Sequence, residues 1–208
     1  KKVIYPLMAK IIAIDGPASV GKSTLAKKIS KKFKAPVLFS GKLYRALALE
    51  IIKRKINLNN TEEILRSITS IDSGNLNSAE LYSSEVDSVS SIISAKKQVR
   101  SKLISFQRSF PKKYGDNIEF VIIEGRDIGT IIFPKANYKI FLWAASEVRA
   151  KRRYDQLRKN VKNVSYNKIF REINVRDQKD MTREIAPLMP AANSVLLDTS
   201  YIDIEQAF

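Results

Sequence analysis

The 208-residue chain contains no cysteine and no histidine. Without cysteine it has no disulfide bonds and no thiol nucleophile, and without either residue it lacks the common Cys/His zinc sites. A Ser-His-Asp triad is excluded as well, so an enzyme of this sequence works without an imidazole general base. The absence of cysteine also fits a cytoplasmic location, which is the location that we expect.

Long apolar runs are missing too. Ile140–Ala145 is among the longest, far short of the roughly 20 residues that a membrane-spanning helix needs. The apolar stretch Val3–Leu7 that follows two lysines is too short for a signal peptide. We therefore expect no membrane partner, and we expect residues 1–10 to form an N-terminal extension and the start of the first strand.

Acidic residues are few compared with basic ones. Lysine and arginine total 37 and aspartate and glutamate total 21, which gives a net charge of +16. Residues 149–183 alone hold twelve basic and four acidic side chains, a net of 12 − 4 = +8. Because like charges repel, such a segment favours an anionic ligand.

Five short segments rich in Ile, Val and Phe alternate with helical patterns. The segments are Ile11–Ile14, Val37–Phe39, Phe120–Ile123, Tyr138–Trp143 and Val195–Leu197. The helical patterns cover Lys22–Phe33, Lys42–Arg54, Ser84–Ser109, Ser146–Asn160 and Tyr166–Asp180. This alternation predicts an α/β fold in which helices flank a parallel sheet on both faces.

A phosphate-binding motif follows the first predicted strand. It reads Gly16-Pro17-Ala18-Ser19-Val20-Gly21-Lys22-Ser23, followed by Thr24, and matches G-x-x-x-x-G-K-[S/T] between a strand and a helix. Glycines let backbone N–H groups converge on phosphate oxygens, and the helix N-terminus adds its dipole. We expect these nine residues to bind ATP, with Lys22 at the β- and γ-phosphates and the Ser23 hydroxyl on Mg²⁺.

Polar clusters follow two further strands, at the sheet edge where ligands bind in open α/β folds. Glu124 comes directly after the third predicted strand and is placed to hold Mg²⁺ through water. Arg45 and Arg126 follow the second and third strands, and two guanidinium groups suit a second phosphate. The alternative for either arginine alone is a surface salt bridge.

A GTPase is disfavoured because its Asn-Lys-x-Asp motif is absent.

Two groups of charged side chains occur in the basic segment. Arg176, Asp180 and Arg183 are spaced to share one helix face, which indicates either a ligand-binding face or a ladder of salt bridges. The second group is Arg149, Arg152 and Arg153. It begins a basic helix that either folds over a phosphate chain or lies exposed to solvent.

With these residues in view, the chain resembles the bacterial cytidylate kinases of the P-loop nucleoside monophosphate kinase superfamily. The shared motifs are Ile11–Pro17, Ser40-Gly41 with Tyr44-Arg45, Gly125–Thr130, Phe133-Pro134, Arg176-Asp177 with Arg183, and Ala186-Pro187-Leu188 with Pro190-Ala191. The resemblance covers nearly the whole chain. It implies one P-loop kinase domain over residues 11–208, with a monophosphate-binding excursion at about 41–110 and a lid at about 150–166.

The resemblance further implies that ATP, with Mg²⁺, phosphorylates CMP and dCMP to CDP and dCDP. Catalytic charge would come from Lys22, Arg149 and Arg153. The implied CMP contacts are Tyr44, Arg45 and Arg126 at the phosphate, Ser40, Asp127, Arg176 and Asp180 at the sugar, and Ser91, Arg100 and Arg183 at cytosine. No general base is needed, because the attacking phosphate oxygen of CMP is already anionic.

One segment departs from the family pattern. Family members carry a longer insert built as a small sheet, whereas Ser70–Tyr82 is short and polar here. We expect a monomer whose partners are small nucleotides, with no nucleic acid. Two alternatives stay open: a P-loop kinase for another small acceptor, and a nucleic-acid-binding protein whose affinity falls steeply with salt.

Overall fold

The computed structural model describes residues 9–68, 76, 78–114, 118–159 and 163–208. Five strands form one sheet: β1 Lys10–Asp15, β2 Val37–Phe39, β3 Phe120–Glu124, β4 Tyr138–Trp143 and β5 Val195–Asp198. Their order is β2-β3-β1-β4-β5. β1 pairs in parallel with β3 and with β4, and β4 pairs in parallel with β5. The predicted parallel α/β sheet is confirmed.

The central strands are apolar along most of their length, as is usual in a parallel sheet, whose faces are covered by helices. Ile14 on β1 and Ile122 and Ile123 on β3 are completely buried. Each of these strands ends on a carboxylate, Asp15 and Glu124, and the register aligns Ile14 with Glu124. Parallel pairing therefore brings both acidic side chains to one edge of the sheet.

Eight α-helices lie in the described part of the chain. They are α1 Lys22–Phe33, α2 Ser40–Lys53, α3 Thr61–Ser67, α4 Ser84–Ser94, α5 Lys97–Ser109, α6 Ser146–Leu157, α7 Tyr166–Thr182 and α8 Ile204–Ala207. Short 3₁₀ turns occupy Ala79–Tyr82 and Pro111–Lys113, and a π-helix occupies Ile128–Ile132. None of the helices in the described ranges is long and apolar enough to cross a membrane.

The chain divides into two compact units. One runs up to Leu38 and resumes at Tyr114, and it holds the sheet with α1, α6, α7 and α8. The other is Phe39–Lys113, which holds α2 to α5. The predicted bounds of the excursion and lid stay predictions. Residues 1–8, 69–75, 77, 115–117 and 160–162, which include parts of the predicted extension, insert and lid, lie outside the described residues.

The predicted helical stretch Ser84–Ser109 is helical over most of its length, but it is divided into two helices. Helix α4 ends at Ser94, and Lys96 adopts an extended conformation before α5 begins. Arg100 on α5 donates from Nη1 to the Ser94 carbonyl at 3.1 Å, which satisfies an acceptor that the helix end leaves open. The helix predicted over Ser146–Asn160 is also shorter and ends at Leu157.

Helix α3 and the π-helix were not predicted. α3 has a recognisable start, because the Asn60 side chain accepts from the Glu63 backbone N–H at 3.2 Å. Two acidic residues, Glu62 and Glu63, stand in its first turn, where the helix dipole favours them. The short length of α3 explains why no clear periodic pattern marked it.

Candidate active site

The loop between β1 and α1 passes directly against a neighbouring strand. Gly16 has φ 148°, and a Cβ at this position would lie 2.3 Å from the Leu142 carbonyl oxygen of β4. Gly21, with φ 103°, precedes α1, whose N-terminus has no side-chain cap. The first backbone N–H groups of that helix are therefore not claimed by a capping side chain, as an anion site requires.

Lys22 lies buried at the start of α1, with 4% of its surface exposed. Its Nζ donates to the Pro17 carbonyl at 2.7 Å and lies 3.8 Å from Oε1 of Glu124. Burial, followed by repulsion from Arg126, lowers the pKa of Lys22 to about 7, although the Glu124 carboxylate opposes the shift. The loop therefore encloses a lysine whose charged form a bound phosphate would stabilise.

We expect ATP affinity to decline as pH rises above 7. If Lys22 contacts the triphosphate as predicted, binding raises its pKa, which is about 7 without ligand. Affinity is then highest while Lys22 is already protonated, and it falls by up to about tenfold per pH unit between the free and bound pKa values. Calorimetric titration with Mg-ATP from pH 7 to 9 measures how steeply ATP affinity falls with pH.

The Lys22→Arg variant keeps its charge over this range, so its ATP affinity should change much less with pH. An equal pH dependence in both proteins would contradict the assignment of Lys22 to the triphosphate.

Glu124 faces the first residues of α1. Its Oε2 accepts a hydrogen bond from the Ser23 hydroxyl at 3.3 Å. A hydroxyl and a carboxylate are hard oxygen donors of the kind that Mg²⁺ prefers. No cluster of three or more metal-binding side chains occurs among residues that the structure describes. A Mg²⁺ ion here would thus complete its shell with water and nucleotide oxygens, which is usual for this cation.

Asp15 is a site residue that the sequence reasoning missed. Its two carboxylate oxygens accept from the backbone N–H groups of Ile128 at 2.8 Å and Gly129 at 2.7 Å. Burial raises its pKa to about 6, against the effect of those two hydrogen bonds. The side chain joins the end of β1 to the start of the π-helix, and so it ties the phosphate loop to the Gly125–Thr130 motif.

Two arginines and two aspartates form a charged cluster near the carboxyl end of β3. Arg126 donates from Nε to Asp180 Oδ2 at 3.1 Å. Arg183 lies 3.8 Å from Asp127 and 3.8 Å from Asp180. Burial lowers the pKa of Arg126, but the carboxylates of Asp180 and Glu124 outweigh burial and raise it. The cluster therefore favours the charged form of Arg126.

The expectation that Arg183 shares a helix face with Arg176 and Asp180 is wrong. Helix α7 ends at Thr182, and Arg183 is extended, with ψ 139°. Its Nε donates to the Ala186 carbonyl. The chain thus turns away from the helix axis before Arg183, and the arginine reaches the cluster from the following loop. Arg176, on α7 itself, contributes to the low pKa of Lys22 through its positive charge.

The three arginines predicted at the start of the lid have different surroundings. Arg149 is buried and donates from Nε to the Ala144 carbonyl at 2.8 Å. Arg152 donates to Thr199, whose hydroxyl donates in turn to the Trp143 carbonyl at 3.2 Å. Arg153 is half-buried and donates to Gln156 at 3.2 Å. Of the three, Arg153 is the one whose described contact is with a neighbouring exposed side chain.

In the Phe39–Lys113 unit, the predicted CMP residues occupy three helices: Ser40, Tyr44 and Arg45 on α2, Ser91 on α4 and Arg100 on α5. Arg45 donates to the Leu81 carbonyl at 2.7 Å, pairs with Asp87 and stacks over the Tyr82 ring. The buried Ser40 hydroxyl has no hydrogen-bond partner within the described ranges. Such a hydroxyl fits a residue that a ligand satisfies.

The family model for cytidylate kinase matches residues 12–208. The chain belongs to the cytidylate kinase family. Among its relatives are cytidylate kinases from Acidiphilium cryptum, 39% identical over 95% of this chain and 91% of that protein, and from Methylocella silvestris, 39% identical over 95% and 90%. The cytidylate kinase of Salmonella choleraesuis is 37% identical over 96% of this chain and 92% of that protein.

A solved structure supports the fold of this cytidylate kinase family member. An uncharacterized protein from Eubacterium ventriosum matches with a TM-score of 0.54 and 14% identity, over 95% of this chain and 93% of that one. At this identity the likeness concerns the fold alone. The P-loop fold is supported by the family match and by the strand–loop–helix arrangement around Gly16 and Lys22.

A second missed residue, Asp177, also belongs to the family motif. It is buried on α7, and its Oδ1 accepts from the Ala18 backbone N–H of the phosphate loop at 3.2 Å. The signal available in the sequence was its place beside Arg176 in a segment otherwise poor in acid. Spacing alone did not distinguish it from a solvent-exposed aspartate.

Proposed function

We propose that this chain transfers the γ-phosphoryl group of ATP to CMP, producing ADP and CDP. The observation that carries the proposal is the buried Lys22, placed within the phosphate loop and beside Glu124, in a chain of the cytidylate kinase family. dCMP is a second acceptor. The cytoplasmic location, the monomeric state and the absence of a nucleic-acid partner stay predictions.

The transfer breaks the bond between the γ-phosphorus and the β,γ-bridging oxygen of ATP, and it forms a bond to a phosphate oxygen of CMP. That oxygen is anionic near neutral pH, so no residue has to remove a proton. This chemistry suits a chain without histidine or cysteine. The work of the protein is to hold the two phosphates in line and to balance their charge.

Residues of the unit that holds the sheet do much of this work. The loop Gly16–Gly21 and the N-terminus of α1, with Ser23 and Thr24, bind the triphosphate. Lys22 neutralises charge on the transferred group, and Arg153 adds charge from α6. Bound Mg²⁺, held by Ser23 and through water by Glu124, would neutralise phosphate charge. The oxygen donors present fit that ion.

The acceptor contacts are proposed residue by residue. Arg126 binds the CMP phosphate, and Asp127, Arg176 and Asp180 bind the sugar, with Arg183 at cytosine. The ion pairs among Arg126, Asp180 and Arg183 support this proposal, because they hold the polar groups in place before substrate arrives. In the second unit we propose Tyr44 and Arg45 for the phosphate, Ser40 for the sugar, and Ser91 and Arg100 for cytosine.

Arg183→Met should lower the preference for CMP over UMP. A site built to pair with cytosine leaves polar groups unsatisfied when the wrong base binds, at a cost of about 1–3 kcal/mol. The ratio of kcat/KM values for the two acceptors should therefore fall about tenfold or more. Arg171→Met, an exposed position on α7, is the matched control and should keep the wild-type ratio. An unchanged ratio in Arg183→Met would remove Arg183 from the cytosine contacts.

A coupled assay of ADP release with Mg-ATP tests the proposed function across CMP, dCMP, UMP, AMP, GMP and dTMP. We expect the highest kcat/KM for CMP and dCMP, weaker use of UMP, and little use of the purine nucleotides. Fast turnover with another acceptor and none with CMP would replace the proposal with a kinase of different specificity. Adding unrelated small phosphate acceptors to the panel identifies that alternative.

A further inference from the structure

Ala18 of the phosphate loop is held at both of its backbone polar groups. Its N–H donates to Asp177 Oδ1 at 3.2 Å, and its carbonyl accepts from Arg149 Nη1 at 3.0 Å. Asp177 and Arg149 also pair with each other. All three residues are buried. The pair and Ala18 therefore form a closed set of hydrogen bonds, which we call the Ala18 clamp.

The clamp takes up much of the hydrogen-bonding capacity of Arg149. Besides Ala18 and Asp177, the guanidinium donates from Nε to the Ala144 carbonyl at 2.8 Å and lies 5.9 Å from the centre of the Trp143 ring. Only 3% of the Arg149 side chain and 8% of the Asp177 side chain are exposed. A guanidinium engaged in this way fixes protein backbone and is poorly placed to follow a moving phosphate.

From these contacts we propose that Asp177 and Arg149 are positioning residues, which hold the phosphate loop at Ala18 in the geometry that binds ATP. The proposal rests on the proposed function only in taking ATP as the ligand of the loop. The backbone N–H groups of a loop bind phosphate well only when they already converge on the phosphate position, because reorganising them costs binding free energy. Ala18 lies between Gly16 and Gly21 in the loop, and the clamp is the described contact that holds both its N–H and its carbonyl.

The two side chains of the clamp, Arg149 and Asp177, come from different helices. Arg149 is on α6 and Asp177 is on α7, and the two helices pack through Ala150, Ile169 and Ile173. The apolar contact holds the two helices together, whereas the hydrogen bonds of Asp177 and Arg149 hold the loop. Disturbing the apolar contact alone should lower stability without removing a hydrogen bond from Ala18.

Calorimetric titration with Mg-ATP, without acceptor, tests the clamp in Asp177→Ala, Asp177→Asn and Arg149→Lys. We expect Asp177→Ala to weaken ATP binding by about tenfold or more, since it leaves a buried donor and a buried charge unsatisfied. Asp177→Asn keeps an acceptor for the Ala18 N–H and should lose less. Ile173→Ala on the same helix is the matched control and should lower the Tm while ATP affinity stays within twofold.

Two results with the Asp177 variants would overturn the proposal. One is an equal loss of ATP affinity in Asp177→Ala and Ile173→Ala, which would mean a general effect of helix packing. The other is wild-type ATP affinity in both Asp177→Ala and Asp177→Asn. Arg149→Lys distinguishes a positioning role from direct contact with the transferred phosphate. A positioning role predicts weaker ATP binding, whereas a lower kcat at unchanged ATP affinity would indicate that Arg149 stabilises the phosphate charge directly and would contradict the proposal. If the wild type binds ATP but does not phosphorylate CMP, the proposed function fails, but the ATP titrations of the variants still decide the clamp proposal.

Discussion

Replacing Lys22 by methionine is expected to lower kcat for CMP phosphorylation by about 10²-fold or more. Lys22 is buried inside the phosphate loop, where its charge is little screened by water, and removing one preorganised donor from such a site costs about that much. Methionine preserves the length and apolar stem of the side chain. The Tm should therefore change little, because the nucleotide-free protein holds a lysine whose charge burial already disfavours.

Initial rates at saturating ATP and CMP measure this effect, with Lys31→Met as the matched control. Lys31 is exposed in the last turn of the same helix, and its removal should leave kcat within twofold. Turnover near the wild-type rate in Lys22→Met would show that the phosphoryl group gains its charge stabilisation elsewhere. A loss of kcat with an equal loss of folded protein would also contradict the assigned role.

Gly16→Ala is expected to abolish measurable ATP binding and to destabilise the protein by several kcal/mol. A Cβ at this position would overlap the Leu142 carbonyl oxygen, at 2.3 Å, and φ 148° is a conformation that L-residues rarely adopt. Backbone atoms of a central strand cannot give way as a flexible side chain can. The loop must therefore move away from β4, which carries its N–H groups out of position.

Thermal unfolding and Mg-ATP titration of Gly16→Ala check this expectation. Gly41→Ala is the control for unfolding alone, because a Cβ there meets nothing within 4 Å and Gly41 lies in the first turn of α2. Alanine in a helix is favoured over glycine by roughly 1 kcal/mol, so the Tm of the control should not fall. A Gly16→Ala protein with wild-type Tm and ATP affinity would show that the loop tolerates displacement from β4.

The strands and the phosphate loop could be predicted from sequence because their signals are local. Val37–Phe39 and Tyr138–Trp143 have the predicted bounds, since both are short apolar runs between clear boundaries. The loop motif is defined by glycines and a lysine at fixed spacing, so it needed no knowledge of distant residues. The break between α4 and α5 escaped prediction because a contact from the Arg100 side chain to the Ser94 carbonyl supports it, and hydrophobic periodicity does not reveal such a contact.

The supporting residues of the site could not be found from local patterns. Asp15 and Asp177 are single carboxylates whose backbone donors stand more than a hundred positions away in the chain. Their importance depends on burial and on backbone contacts that only the folded chain brings about, two for Asp15 and one for Asp177. Likewise, the place of Arg183 depends on where α7 ends, and a periodic pattern does not mark that end within one residue.

The central claim is that phosphate passes directly from ATP to the phosphate of CMP. Phosphorus NMR of the wild-type protein with Mg-ATP and CMP tests it most directly. We expect the β-phosphorus signal of CDP to grow as the γ-phosphorus signal of ATP declines, with equal amounts of ADP and CDP and little inorganic phosphate. Consumption of ATP that yields inorganic phosphate while CMP stays unchanged would contradict it.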